Sequence, residues 1–254
     1  MSIRGILQLA RRRSFGRLLV LAYEGVGPEN RPTSAAADDP GTNIDLGEFC
    51  WQMEQVSARS EPIPLSRLMG HLGGKRPLTG PQICVCLRID ASKDPRGAIA
   101  VMGSQKIPPT LLFEFESIGE SSSSANDLGL DWADIRKLTS AGADIGHRIC
   151  AGDGLAQLGS AQRRLQLGKL RRLAEQQTGV PVNSLAYGMN GAREPDLTLI
   201  YDAAIAGFNL GLGNREGINL LRPISPMTLK RRTVTPRMTR AHFAALLDEA
   251  ALDR

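Results

Sequence analysis

The sequence is poor in the residues that usually bind transition metals. Its 254 residues include three histidines, His71, His147 and His242, which lie far apart along the chain. The four cysteines form neither a CxxC pair nor a zinc-ribbon spacing, and Cys84 and Cys86 lie within one apolar run. We therefore expect buried free thiols and no zinc site built on cysteine.

Long apolar runs are also missing. Near the amino terminus the longest run, residues 18–23 (LLVLAY), leads directly into a turn at Gly25. It is too short for the core of a signal peptide or for a membrane span. These residues predict a first strand, no integral membrane span and a cytoplasmic location.

Aromatic residues are few, at 4%, and charge is ordinary in amount. The formal net charge is +5 and the sequence pI ≈ 9.3. The basic residues are scattered, apart from short runs at 11–13 and 230–232. We predict a solvated basic surface and no nucleic-acid partner.

What the sequence does contain is an alternation of strand and helix patterns. Strands are predicted over RLLVLAYEGVGP, PQICVCLRID, PPTLLFEF, VNSLAYG, GFNLGLGN and INLLRPI. Helices are predicted over DLGEFCWQMEQVSAR, PLSRLMGHLGG, AIAVMGSQK, WADIRKLTSAG and AQRRLQLGKLRRLAEQQTG, with Asp131 and Ser160 as caps of the last two. Such alternation is typical of a mainly parallel α/β protein, in which ligands bind at the carboxyl ends of the strands.

Three segments are predicted along the chain. Residues 1–16 form a basic arm, residues 17–235 form the α/β domain, and residues 236–254 form a helix that begins near Thr239. That helix carries an apolar stripe formed by Phe243, Leu246, Leu247 and Ala250. The stripe predicts that the helix packs against the domain, and binding to a partner is the alternative.

Residues 142–158 (GADIGHRICAGDGLAQL) are predicted to be a loop that follows a helix. The segment passes from a short apolar piece into a glycine-rich stretch, as in loops that present ligands above a sheet or barrel. Its single imidazole is His147.

The ordered series LLVLAYEGVGP, FCWQM, ICVCLRIDAS, IPPTLLFEF, LDWADIRKLTSAGADIGHR, LAYG and AGFNLGLG resembles the polysaccharide deacetylase family, the NodB-homology domains of carbohydrate esterase family four. The resemblance extends over about residues 17–232. It implies a distorted (β/α) barrel with fewer than eight repeats and a sugar-binding groove at the carboxyl ends of the strands.

Members of that family remove acetyl groups from sugars with a divalent metal such as zinc, while a carboxylate removes a proton from the bound water. A Thr-Phe-Asp-Asp-Gly strand end supplies the base and one ligand. A Ser-His-x-x-x-His loop supplies two histidine ligands.

This chain departs from both motifs. The strand end reads Leu-Arg-Ile-Asp-Ala-Ser, so only Asp90 remains of the paired aspartates. In one register Asp90 is the metal ligand, and in the other it is the base and Ala91 stands at the ligand position. Arg148 falls at the first histidine position and Gly152 at the second. The family's opening Tyr-His motif reads Tyr-Glu here, ending at Glu24.

The preferred interpretation is a catalytically inactive deacetylase-like protein that needs no cofactor and retains a glycan-binding or protein-binding role. Its remnant catalytic residue is Asp90, and Arg148 is expected to pair with Asp90 or with Asp153. The alternative is a carbohydrate deacetylase with a rebuilt site drawn from Asp90, His147, Cys150 and Asp153. The predicted ligand-binding residues are Glu24, Asp90, Arg148, Asp153 and Tyr187, with packing as the alternative for Tyr187.

Overall fold

Apolar strands form the wall of a closed barrel in the computed structural model, which describes residues 16–27, 43–78, 80–89, 95–118, 130–149, 154–188 and 194–251. The described strands are β1 (Arg17–Tyr23), β2 (Gly25–Val26), β3 (Asn43–Ile44), β4 (Pro81–Ile89), β5 (Pro109–Phe113), β6 (Asp144–Ile149), β7 (Ser184–Tyr187), β8 (Leu210–Glu216), β9 (Asn219–Leu220) and β10 (Leu229–Val234).

Seven parallel strands close the barrel in the order β1, β4, β5, β6, β7, β8 and β10, and β10 pairs with β1. The short strand β9 runs antiparallel to β1, and β2 pairs with β3 in a separate two-stranded sheet. The prediction of a (β/α) barrel with fewer than eight repeats is confirmed.

Helices surround this wall. They are α1 (Leu46–Arg59), α2 (Arg67–Leu72), α3 (Arg96–Ser104), α4 (Trp132–Ser140), α5 (Ser160–Thr178), α6 (Leu197–Ile205) and α7 (Arg240–Ala251). Asp131 caps α4 as predicted, because its carboxylate accepts a hydrogen bond from the Asp134 amide at 2.8 Å. The buried stripe of α7 packs against the barrel, also as predicted.

Side chains alternate between two apolar layers along each strand. The outer layer lies between the wall and the helices and includes Leu19, Leu21 and Tyr23 of β1. The inner layer fills the barrel and includes Leu18, Val20 and Ala22 of the same strand. This alternation determines which residues at the strand ends face the mouth of the barrel.

The segment that contains α2 closes the amino-terminal end of the barrel. The Leu65 amide donates a hydrogen bond to the Thr110 hydroxyl at 3.0 Å, and the Ser66 amide donates to Asp144 Oδ2 at 2.8 Å. Leu65 and Leu68 join the inner apolar layer. The carboxyl end of the barrel is therefore the end that is available for a ligand.

Some local predictions were wrong. Residues 144–149 were assigned to a loop but form β6. Ser160 does not cap α5: the N-cap is Gly159, and the Ser160 hydroxyl instead bonds Asp202 Oδ1 at 2.5 Å. Helix α6 and strand β10 were not predicted at all, although β10 closes the barrel.

The three cysteines within the described residues, Cys50, Cys84 and Cys86, are unbridged thiols. Cys84 and Cys86 are buried, as predicted, whereas Cys50 is half-buried. None of the described helices combines the length and the apolar character that crossing a bilayer requires.

Candidate functional site

Charged and polar side chains occupy the last inward-facing positions of the barrel strands. Five of them lie two residues beyond a member of the inner apolar layer, and the sixth, Arg148, lies two residues beyond Gly146, whose Cβ position would contact Leu112 of that layer. The alternation along each strand therefore directs all six toward the interior at the carboxyl end. The set is Glu24 after β1, Arg88 on β4, Glu114 after β5, Arg148 on β6, Asn214 on β8 and Arg231 on β10. We call these six residues the mouth cluster.

Glu24 is buried at the end of β1 and pairs with Arg88 of the neighbouring strand. Arg88 Nη1 lies 3.3 Å from Glu24 Oε2. Burial raises the pKa of Glu24, and the positive charges of Arg88, Arg231 and Arg148 oppose that rise in this order. Glu24 therefore lies within the electrostatic reach of three guanidinium groups.

Arg148 is 3% exposed and projects from β6 into the barrel. Its Nη2 forms an ion pair with Oε1 of Glu114, which follows the neighbouring strand β5. This position is the one at which the sequence resemblance places the first metal-binding histidine. A guanidinium stays protonated at neutral pH and offers no lone pair to a metal, so Arg148 supplies a fixed positive charge there.

Arg231 was missed by the sequence reasoning, which treated residues 230–232 as a surface basic run. It is 3% exposed, and its Nη2 donates to the Gly188 carbonyl at 2.7 Å and to Asn214 Oδ1 at 2.5 Å. Its Nη1 has no hydrogen-bond partner among the described residues. The apolar residues Leu229 and Val234 that bracket it were the signal of a strand.

Burial lowers the pKa of Arg231, while the negative charge of Glu24 favours its protonated form. Its two hydrogen-bond acceptors are a carbonyl and an amide oxygen, both uncharged. Among the described residues, Arg88 and Arg148 each pair with a glutamate of the mouth cluster, whereas no carboxylate lies within ion-pair distance of Arg231.

His147 precedes Arg148 in β6 and faces the opposite side of the wall. It is fully buried, and its ring stacks on Phe115 at 5.1 Å and on Phe208 at 6.3 Å between centroids. Burial lowers its pKa to about 4. Its nearest carboxylate oxygen, Glu116 Oε1, is 3.9 Å from Nε2. His147 is therefore a neutral packing residue of the outer layer.

Tyr187 ends β7 within the outer apolar layer, on the opposite face from Glu24 and Arg148. It packs so closely on β8 that a Cβ atom at Gly211 would lie 2.6 Å from Tyr187 Cε2. Burial raises the pKa of its hydroxyl group. The structure therefore brings Glu24 and Arg148 together at the mouth and directs Tyr187 toward the helices. This placement agrees with the packing alternative for Tyr187.

Asp90, Cys150 and Asp153 lie outside the described residues. The expected pairing of Arg148 with Asp90 or Asp153 therefore stays a prediction beside the observed pair with Glu114. Arg148 is 3% exposed, so its guanidinium does not point into bulk solvent.

The described part of the chain does not fit the divalent metal that the resemblance implies. Within it, no three His, Cys, Asp or Glu side chains converge in a way that could hold a metal ion. The first histidine position holds an arginine, and the one nearby imidazole faces the helices. The inward-facing groups around the mouth are instead dominated by cations.

The arrangement defines an α/β-barrel protein with a charged mouth at the carboxyl ends of its strands. Neither a protein-family profile nor a curated protein matches the chain. Several solved structures share its fold. Deacetylase PplD of Streptococcus pyogenes, in complex with acetate, matches with a TM-score of 0.75 and 13% identity, over 91% of this chain and 98% of that one.

Two further structures agree. IcaB of Ammonifex degensii matches with a TM-score of 0.70 and 17% identity, over 93% of this chain and 97% of that one. A polysaccharide deacetylase of Bacillus cereus matches with a TM-score of 0.70 and 16% identity, over 91% of this chain and 69% of that one. The chain has the polysaccharide deacetylase fold, as the sequence resemblance predicted.

Proposed function

We propose that this protein is a catalytically inactive member of the polysaccharide deacetylase fold, which binds a glycan at the barrel mouth without hydrolysing it. The observation that carries the proposal is the ion pair of Arg148 and Glu114. It places a buried guanidinium at the inward position where a deacetylase of this fold would need a metal ligand.

Deacetylation needs an activated water and a group that stabilises the developing oxyanion. A guanidinium can hold an oxyanion by hydrogen bonds, but it does not lower the pKa of a bound water as a metal does. The mouth cluster therefore favours binding of an acetyl or carboxylate group over its hydrolysis.

The ligand class that suits the mouth is an oligosaccharide with an acetyl or carboxylate substituent. Arg231 favours a carboxylate ligand in particular. Its Nη1 has no hydrogen-bond partner among the described residues, and its Nη2 donates to two uncharged oxygens. A planar carboxylate matches the donor geometry of a guanidinium. The competing explanation is that the mouth arginines only close the end of the barrel and bind no ligand.

A deacetylase with a rebuilt metal site remains the second candidate, and the orientation of His147 weighs against it. Asp90, Cys150 and Asp153 would then have to supply the ligands without that imidazole. Acetate release from acetylated chito-oligosaccharides and acetylated xylan, with and without added zinc or cobalt, separates the two functions. Metal-dependent release that disappears in Asp90→Ala would establish the enzyme.

Binding is tested by calorimetry with acetylated chito-oligosaccharides and with oligogalacturonate, which carries carboxylates. We expect Arg148→Ala and Arg231→Gln each to weaken the binding about tenfold. Arg232→Gln is the matched control, because Arg232 lies next in β10 but pairs with Glu216 near the surface. Lost stability in both mouth variants, with no ligand heat in any protein, would show that the arginines only close the barrel.

A further inference from the structure

The outer surface of helices α5 and α6 carries a cluster of exposed apolar side chains. Among the described residues, seven large hydrophobic side chains are exposed, and five of them lie on these two helices. Leu173 is 38% exposed, and the other four are more than half exposed: Leu165 at 54%, Leu197 at 83%, Tyr201 at 56% and Ile205 at 56%. We call these four the α5–α6 patch. Isolated exposed apolar residues are ordinary, but a contiguous group marks a contact surface.

Helical geometry aligns the three members of the patch on α6. Leu197, Tyr201 and Ile205 follow one another at four-residue intervals, so they form a stripe along α6. Asp202 and Ala203 on the other side of that helix are fully buried. Helix α5 lies alongside, since Ser160 and Arg164 bond Asp202. Its exposed Leu165 follows Arg164, whose guanidinium lies over the Tyr201 ring of the stripe.

Cations border the patch. The Arg164 guanidinium lies 5.1 Å from the centre of the Tyr201 ring, and Lys169 and Arg172 are exposed on the outward side of α5. Arg164 is paired with Asp202, so Lys169 and Arg172 supply the positive charge at the edge of the apolar surface.

Most acidic groups near this surface are already neutralised. Asp202 is buried between Arg163 at 3.6 Å and Arg164 at 2.7 Å, and Glu175 pairs with Arg171 at 2.6 Å. Asp196 accepts the Leu199 amide at the first turn of α6, where it serves as the helix cap. The described charges that remain along the patch are therefore positive in balance.

We infer that the α5–α6 patch docks the protein on the surface of an anionic lipid bilayer. The stripe presents aliphatic side chains and a tyrosine on a convex helix face, as interfacial helices do, with cations beside it that meet lipid phosphates. The occupant is not a second copy of the chain. Two such surfaces would oppose like charges across the contact.

The test is co-sedimentation of the whole protein with vesicles. Vesicles of phosphatidylcholine with about one third phosphatidylglycerol should bind it, and pure phosphatidylcholine vesicles should bind it at least about fivefold less. Leu197→Gln with Ile205→Gln should reduce binding about tenfold, because both side chains are exposed and insert into the interface. Lys169→Glu with Arg172→Glu should reduce binding to the anionic vesicles alone.

The matched control is Leu220→Gln, since Leu220 is also an exposed leucine but lies on β9, away from the patch. It should bind as the wild type does. Circular dichroism checks that each variant is folded. Equal binding of the patch variants and the wild type, or no binding to anionic vesicles, overturns the proposal. A dimer in sedimentation velocity that the Leu197 and Ile205 substitutions dissociate also overturns it.

Discussion

His147 and Arg148 are neighbours in β6 and face opposite sides of the barrel wall. The His147 ring stacks on Phe115 in the outer layer, while the Arg148 guanidinium pairs with Glu114 in the barrel mouth. Because side chains alternate along a strand, the two residues cannot exchange places without a shift of the whole strand by one residue. This relation separates the one imidazole of the region from the position where a metal ligand would be needed.

The first prediction concerns metal content. We expect purified protein to contain no stoichiometric zinc, cobalt or nickel, because a tight site needs three or four ligands and the two histidine positions hold Arg148 and Gly152. Elemental analysis after exhaustive dialysis measures this. One metal per chain, tightly held and lost in Asp90→Ala or His147→Ala, would contradict the prediction.

The second prediction concerns the acid stability of the outer layer. Burial lowers the pKa of His147 from 6.5 to about 4, so the unfolded chain binds a proton between these values and the folded chain does not. The resulting stability is present above pH 6.5 and is lost as the pH falls toward 4. His147→Phe keeps an aromatic ring in the stack and removes this titration.

Urea unfolding at pH 7 and pH 5 tests it. As the pH falls from 7 to 5, the free energy of unfolding of the wild type should decrease by at least about 1 kcal/mol more than that of His147→Phe. The exposed His242→Gln serves as control and should follow the wild type. Identical losses in His147→Phe and the wild type would show that His147 is protonated in the folded state.

The third prediction concerns Asp144 at the closed end of the barrel, where the pH dependence of stability has the opposite sign to that of His147. Burial raises the pKa of Asp144 to about 6, against the opposing hydrogen bonds from Ser66. The stability linked to its protonation is present below 3.8 and is lost as the pH rises through 6. Asp144→Asn retains an oxygen that accepts the Ser66 amide and removes the ionisation.

Relative to the wild type, Asp144→Asn should therefore gain stability as the pH rises from 4 to 7. Chemical denaturation at several pH values in that range measures the difference. A difference that stays constant with pH would show that Asp144 ionises without a cost of burial. The effects of His147 and Asp144 oppose each other in the wild type, so the variants are needed to separate them.

The fourth prediction concerns an inward-facing glycine of β6. A Cβ atom at Gly146 would lie 2.5 Å from the Ser184 hydroxyl oxygen and 3.0 Å from Leu112 Cδ2. Gly146→Ala should therefore lower the free energy of unfolding by about 2 kcal/mol or more. Gly103→Ala in α3 is the matched control, because nothing lies within 4 Å of its Cβ position. The free energy of unfolding of Gly103→Ala should rise by about 0.5–1 kcal/mol, because alanine has the higher helix propensity. Thermal and urea unfolding measure both variants. A neutral Gly146→Ala would mean that β6 and β7 move apart readily.

Local patterns in the sequence determined most of the elements and the fold class. The apolar run of β4, the Asp131 cap of α4 and the stripe of α7 each depend on residues a few positions apart, so they can be recognised without the rest of the chain. Their order then favoured a mainly parallel α/β arrangement, because alternating strands and helices have few right-handed arrangements. The barrel itself was implied by the resemblance to the polysaccharide deacetylases.

Tertiary structure alone decided the composition of the mouth. Glu24 and Arg88 are 64 residues apart, and their pairing depends on the register of β1 with β4. Strand β10 escaped prediction because Arg231 occupies an inward position, where the usual rule expects an apolar side chain. In the closed barrel, the Gly188 carbonyl and the Asn214 side-chain oxygen accept hydrogen bonds from Arg231, which offset the cost of burying its guanidinium. Both partners are distant in sequence, so no local pattern contains them.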